Sequence, residues 1–552
     1  MSAEAFKPAN NDQIVTDCKE LEALFPSSKE KLPHVPSYKG NQYLVNGEVK
    51  TFTKSTTKIA TAIYAGAERV VISEFARCDK DVALEALKAA QDAWGRGLGA
   101  WPRATIQERV KAMHGFLLDY KAAKEQMVEL LMWDICKSRK DAEDEIDRTI
   151  DFIKQTIDEA IKLYNSETKF EVSAGVAAQI RHMPVGVVLA SGPFNYPMNE
   201  CYTTFIPALT AGNTVIVRIP RNGASPHFPT LELFEKHFPP GVINILSGSG
   251  REIMTPLMES GGIDYLAFIG RSTSASALIK THPEPHRLHV LAQMDSKDCA
   301  ILLEDADVAL AAKHCASGAF SFNGQRCTAM KLVWVHRSIA AEFVPKFAAE
   351  VDAMKIGMPW EDGVKITPLC EDGKPDGIRD FVEDALKHGA HILNKNGGRF
   401  ARSLASPTVV GPVTKEMKLW SEEQFGPVSP VAVFDDVEEP LEWVASSKYG
   451  LQSAVFGYDP RKLARVVDAL AMHEGRVNIN SPDKRGPDVF PFTGKKNSAL
   501  GMTNAKEALK LFAIPTIVAT QVQDERSLAA VEGLIRGGES TFFNNKFVFP
   551  PS

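Results

Sequence analysis

Between residues 184 and 270 short apolar runs recur with room for one helix between each pair: PVGVVLAS at 184–191, TVIVRIP at 214–220, VINILSG at 242–248 and IDYLAFIG at 263–270. Runs of Val, Ile and Leu without polar alternation suit strands buried on both faces, which are parallel strands joined by helical crossovers. This region is therefore expected to form a Rossmann-like α/β unit whose ligand lies beyond the carboxyl ends of its strands. A second alternation follows, with AILLEDAD at 300, KLVWVHRS at 331, SPVAVFDD at 429 and QSAVFGYD at 452, and it predicts another α/β unit. The chain has 552 residues, more than the roughly 250–300 that one core accommodates, so two or three domains are expected.

Helices should cover these sheets. Residues 79–95 carry an Ala/Leu-rich helical pattern, and Thr105 with Glu108 makes a capping box ahead of Val110, Met113 and Leu117 on one face. A helix around residues 140–164 places Arg148 among Glu143, Glu145 and Asp147, where a solvated ion-pair face is the simplest reading. Residues 1–40 are polar and proline-dotted, which predicts a surface arm without chemistry. The aromatic finish TFFNNKFVFPPS would be costly to expose, so it is expected to pack on the body or on a partner subunit.

A net charge of −6 and a pI near 6.2 provide no footprint for nucleic acid or an acidic membrane. Eight cysteines are scattered singly with no CxxC spacing, which argues for a reducing compartment and against a metal or a disulfide frame. The amino terminus lacks a basic start and an apolar core, and no apolar run approaches about 18 residues. The expectation is a cytoplasmic protein.

Three stretches carry the chemistry. NGQRCTAMK at 323–331 sets Cys327 among small and polar neighbours, GPFNYPMN at 192–199 contains Asn195, and EEQFGPV at 422–428 contains Glu423 and Phe425. Taken singly, Cys327 reads as a small buried hydrophobe and Asn195 as a turn residue. Taken in this order and spacing, the chain resembles the aldehyde dehydrogenase superfamily from about residue 43 to about residue 520. Within it, the nearest resemblance is to the non-phosphorylating, NADP-dependent glyceraldehyde-3-phosphate dehydrogenases.

The resemblance implies an aldehyde-dehydrogenase-like fold with an NADP-binding domain (41–168 and 183–293), a catalytic domain (294–478), oligomerisation arms (169–182 and 505–520) and an extension at 521–552. It implies self-association as a homodimer or homotetramer. It makes Cys327 the nucleophile, with Asn195 and the Cys327 N–H as oxyanion donors, and places Arg148, Tyr196, Arg326, Thr328 and Arg485 (in RGPDVFPF) around a phosphorylated aldehyde. A thiol with a pKa near 8.5 must be deprotonated to attack, and Arg326 with a bound nicotinamide would supply the charge.

The cofactor can also be argued from charge. Where NAD-preferring relatives carry a carboxylate near the end of the second strand, this chain reads VRIPRNGAS, with Arg218, Arg221 and no acid. Two guanidiniums match a phosphate monoester, so NADP is expected. Glu423 and Phe425 would hold the nicotinamide ribose. FIGRSTSAS at 268–276 retains only Gly270 of the family's glycine pair, and the amides of Ser272 and Thr273 at a helix start are left to meet a pyrophosphate.

One position departs from the family. Its general-base glutamate falls on Gln293, within LAQMDSKD at 291–298, and both glycines that follow are replaced by Asp295 and Ser296. An amide orients water but does not take its proton, so thioester hydrolysis should be impaired. Three explanations stay open: Asp295 or a water chain acts as base, a nucleophile such as a thiol takes the acyl group, or turnover has been abandoned. The expected function is oxidation of glyceraldehyde 3-phosphate to 3-phosphoglycerate. The alternatives are a catalytically weak dinucleotide-binding structural or regulatory protein, or an oxidase of another phosphorylated aldehyde.

Overall fold

A computed structural model describes residues 5–538 and 540–551. Its first sheet has eight strands, in the order Glu48–Thr51, Gln42–Val45, Ile243–Leu246, Thr214–Arg218, Val187–Ser191, Tyr265–Ile269, His289–Gln293 and Ala499–Leu500. The five strands from Ile243–Leu246 to His289–Gln293 are parallel, in register Val188–Val215 on one side and Val188–Tyr265 on the other. Chain order reverses direction at Val187–Ser191, so a crevice opens beside its carboxyl end. The strand itself is buried along its whole length, which is why its sequence shows no polar alternation.

The second sheet has seven strands, in the order His391–Ile392, Thr408–Gly411, Val428–Phe434, Leu332–His336, Cys299–Leu302, Gln452–Phe456 and Arg476–Ile479, and all are parallel except the first. Segments that follow strands of the first sheet meet segments that precede strands of the second. A third, antiparallel sheet pairs Ala513–Gln521 with Val176–Pro184 and Phe170–Ser173.

The helices start where the local chemistry predicts. Thr105 and Glu108 form the reciprocal capping box of Ile106–Ala122, with Val110, Met113 and Leu117 buried. Asp79 caps Lys80–Trp94, which ends on Gly95 in the left-handed conformation. The amino-terminal segment departs from the expectation of a purely surface arm. Phe6 is buried in the core beside the second sheet, and Leu21 and Phe25 enter the core of the first. These isolated apolar residues lack the periodicity that would reveal them in sequence.

Among the described residues no helix is long and apolar enough to cross a membrane.

Candidate active site

Cys327 lies in the loop between the Val308–Phe320 helix and the Leu332–His336 strand. The chain leaves that helix through Phe322, Asn323 and Gly324 at φ of 48°, 57° and 68°. Asn323 fixes the left-handed turn by donating from Nδ2 to Thr367 Oγ1 at 3.0 Å and accepting from Thr367 N at 2.9 Å. A Cβ on Gly324 would sit 2.5 Å from the Gly426 carbonyl oxygen, so only glycine allows the cysteine loop to press on the EEQFGPV loop.

Asn195 follows the Val187–Ser191 strand and is 4% exposed. Its Nδ2 donates to the Gln325 carbonyl at 2.7 Å, which joins the first sheet's crevice to the Cys327 loop. That bond uses one of the amide's two N–H groups. Lys137, unremarked in the sequence, donates to the Asn195 carbonyl at 2.8 Å, is ion-paired with buried Glu145 and lies 3.5 Å over the Tyr196 ring. Glu145 in turn accepts from the backbone N–H groups of Met198 and Asn199 at 2.9 and 3.2 Å. This buried pair fixes the FNYPMN turn from beneath; its signal was a lysine closing the apolar run LLMWDICK.

Burial pushes the Cys327 thiol up to about 11, opposed chiefly by Lys331 and least by Arg326. Lys331, which the sequence did not single out, thus acts on the thiol beside the expected Arg326. Lys331 is sequestered, donates to Ser296 Oγ at 2.7 Å and to the Cys327 carbonyl, and pairs with Glu423 Oε1 at 3.1 Å. The Arg326 Nη2 instead donates to the Gly318 carbonyl at 2.6 Å, turning its charge aside, while its Nε has no partner. Thr328 is buried next to the thiol.

Four of the positions expected around the phosphorylated aldehyde, Arg148, Tyr196, Arg326 and Arg485, are brought together from remote segments. Tyr196 lies within electrostatic reach of Arg326 and Arg148, and Arg148 and Arg485 share Asp488. They are less free than their sequence suggested. Arg148 makes a bidentate pair with Asp488 at 2.8 and 2.7 Å, and Arg485 pairs with Glu200 and, at 3.5 Å, with Asp488. A buried guanidinium without a ligand needs such a counter-charge. Arg326 alone of the three arginines has no carboxylate partner among the described residues.

Gln293 ends the His289–Gln293 strand. Its side chain is 4% exposed, and neither amide atom has a partner, whereas buried amides are ordinarily satisfied by protein or water. Asp295 is engaged elsewhere: its Oδ2 accepts from Ser272 N at 2.8 Å and Ser272 Oγ at 2.6 Å. It thus takes the Ser272 N–H, one of the two amides expected to meet a pyrophosphate at the start of the Ser272–Thr281 helix. Gly270 N donates to the Gln293 carbonyl at 3.0 Å, and Thr273 is exposed. At the end of the Thr214–Arg218 strand, Arg218 Nε donates to the Gly248 carbonyl at 3.1 Å, and burial pushes its pKa down to about 10. Arg221 is exposed, and neither arginine has an ion pair among the described residues. Phe425, at φ 45°, packs edge-on against Phe194 at 5.9 Å.

Residues 52–518 match the model of the aldehyde dehydrogenase family. The NADP-dependent glyceraldehyde-3-phosphate dehydrogenase of Pisum sativum is 33% identical over 481 residues, covering 85% of this chain and 93% of that protein. The enzyme of the same name from Streptococcus equinus is 35% identical over 483 residues, 86% and 97% of the two chains. The crystal structure of NADP-dependent glyceraldehyde-3-phosphate dehydrogenase from Bacillus halodurans C-125 complexed with NADP superposes with a TM-score of 0.80 at 32% identity, covering 88% of this chain and 99% of that one.

Proposed function

The chain belongs to the aldehyde dehydrogenase family, and we propose that it oxidises glyceraldehyde 3-phosphate to 3-phosphoglycerate with NADP, with release of the acyl group as the slow step. The observation that carries this reading is the 2.7 Å bond from Asn195 Nδ2 to the Gln325 carbonyl, which sets an amide donor beside the cysteine loop. In this reading the Cys327 thiolate attacks the aldehyde carbon, and the developing oxyanion takes hydrogen bonds from the second Asn195 N–H and the Cys327 N–H. When bound, the nicotinamide accepts the hydride and its positive charge favours the thiolate. Hydride loss leaves a thioester on Cys327.

Hydrolysis then falls to Gln293. Its two unpartnered amide atoms suit a water molecule, but an amide cannot take that water's proton. Asp295 is tied to Ser272, and Glu423 to Lys331 and the Ser296 N–H. These engagements favour slow hydrolysis over a relocated base.

Arg218 and Arg221, with no facing carboxylate, fit the 2′-phosphate of NADP. The carboxylate of Asp295 opposes a pyrophosphate at the Ser272–Thr281 helix start. Asp295→Gly is accordingly expected to lower the NADP dissociation constant about fivefold, measured by calorimetric titration without substrate. An unchanged or larger constant would mean that the carboxylate does not compete with the cofactor.

The substrate assignment rests on Arg326, the one of the three arginines with no carboxylate at ion-pair distance among the described residues. Arg326→Met is expected to raise KM for glyceraldehyde 3-phosphate about tenfold or more and that for unphosphorylated glyceraldehyde little, since a charge-assisted bond to phosphate is lost. Equal changes for the two aldehydes would remove the phosphate from the assignment. Self-association is supported by exposed Val172, Ile514 and Ile517 on the third sheet, and eight unpaired cysteines support a cytoplasmic setting.

A further inference from the structure

The carboxyl-terminal segment beyond the family match straps over the third sheet. Phe543 is buried and stacks on Phe170 at 5.9 Å, Val548 exchanges two hydrogen bonds with Asn165, and Gln179 Nε2 donates to Asn545 Oδ1 at 2.9 Å. Beneath the strap is a cavity of about 90 Å³ walled in part by Arg109, Tyr164, Arg181, Phe542 and Asn544. Arg181 is 5% exposed, stacks on Tyr164 and donates from Nη2 only to neutral acceptors, the Asn544 carbonyl and Asn545 Oδ1, each at 2.8 Å. Its Nε and that of Arg109 are sealed from solvent without a partner. Glu167, the one carboxylate in the wall among the described residues, is taken by His182, whose Nδ1 lies at 2.5 Å and whose N–H donates to it at 3.1 Å.

Two guanidiniums therefore line one cavity whose wall holds no free carboxylate among the described residues, an arrangement that is costly until an anion or water supplies the missing acceptors. We propose that this cavity binds a small oxyanion of the phosphate class, whose oxygens accept from the guanidinium N–H groups of Arg109 and Arg181, and that its occupancy holds the carboxyl-terminal strap closed. The volume admits inorganic phosphate or sulfate, or the head of a phosphate monoester whose remainder leaves past the exposed Arg103. The site is separate from the cysteine and its arginines, and it does not depend on the reaction assigned above.

Hydrogen exchange of the amides in residues 541–548 of the full chain reads the strap locally, apart from any anion bound near Cys327. Inorganic phosphate at about ten times its dissociation constant is expected to slow this exchange by about tenfold, because only the closed form binds it; chloride at equal ionic strength should have no effect. Glycerol phosphate, compared alongside, separates the sources: equal potency points to the free ion, greater potency to a phosphorylated metabolite. Arg109→Gln should abolish the phosphate response while the strap stays held by Asn165 and Arg181. No slowing in the wild-type chain, or the same slowing in Arg109→Gln, would overturn the proposal and leave the two arginines to water. Should the variant fold poorly, the wild-type titration decides alone.

Discussion

Gln293→Glu is expected to raise steady-state NADPH formation by about 10²- to 10⁴-fold, the usual contribution of a positioned general base. The carboxylate would replace an amide that is 4% exposed and has no hydrogen-bond partner at either atom. Burial there raises a carboxyl pKa towards neutrality, which makes it a better base for water. The increase should appear in kcat under steady turnover, while the first turnover remains close to that of the wild type. If kcat does not move, hydrolysis is being served by another group, and the reading of Gln293 as the limiting position fails.

Cys327→Ser should abolish NADPH formation in both the first and later turnovers, a loss of about 10³-fold or more, because a hydroxyl is far less acidic and less nucleophilic than a thiol. The pH dependence of the wild-type thiol has a defined sign. With burial holding the thiol near 11 in the free protein, the thiolate fraction, and with it alkylation by iodoacetamide, should rise about tenfold per pH unit from neutrality towards that value. NADP should accelerate alkylation at neutral pH by adding a positive charge beside a sulfur that Arg326 hardly reaches. Alkylation that is pH-independent above neutrality would show a thiol already ionised in the free protein.

The parts of this account legible in sequence were those set by local pattern. Buried parallel strands reveal themselves as unbroken apolar runs, as VVLAS and YLAFI do, and the capping box of Thr105 and Glu108 lies within four residues of chain. The converging segments around Cys327 were found through resemblance, since no spacing rule links Asn195, Glu423 and Arg485. What escaped notice was decided by partners distant in sequence. Arg148 is bonded to Asp488 across 340 residues, and no feature of either neighbourhood announces that pair. Asp295 reads in sequence as one candidate base, and its hydrogen bond to Ser272, 23 residues away, has no local signal. Lys137 and Glu145 pair only after folding, and the lysine that closes LLMWDICK is the pair's single local signal. Phe6 sits in a segment whose polar composition concealed a buried anchor.

These long-range pairs also explain why Arg148, Arg485 and Arg326, the arginines proposed to meet the substrate phosphate, are poised differently. Arg148 and Arg485 are preorganised by Asp488 and Glu200, which fixes their geometry and reduces their net attraction for a phosphate. Arg326 has no carboxylate at ion-pair distance among the described residues, and its Nη2 donates to the Gly318 carbonyl. Under the proposed function, specificity for a phosphorylated aldehyde would depend most on Arg326, the residue before Cys327.

The central claim, that acylation of Cys327 proceeds while Gln293 retards release, is tested most directly by rapid mixing of the protein with NADP and glyceraldehyde 3-phosphate without inorganic phosphate. NADPH should appear in a burst approaching one equivalent per chain, followed by a slow linear phase. Fast linear turnover from the first cycle, or no NADPH from protein that binds NADP, would contradict it.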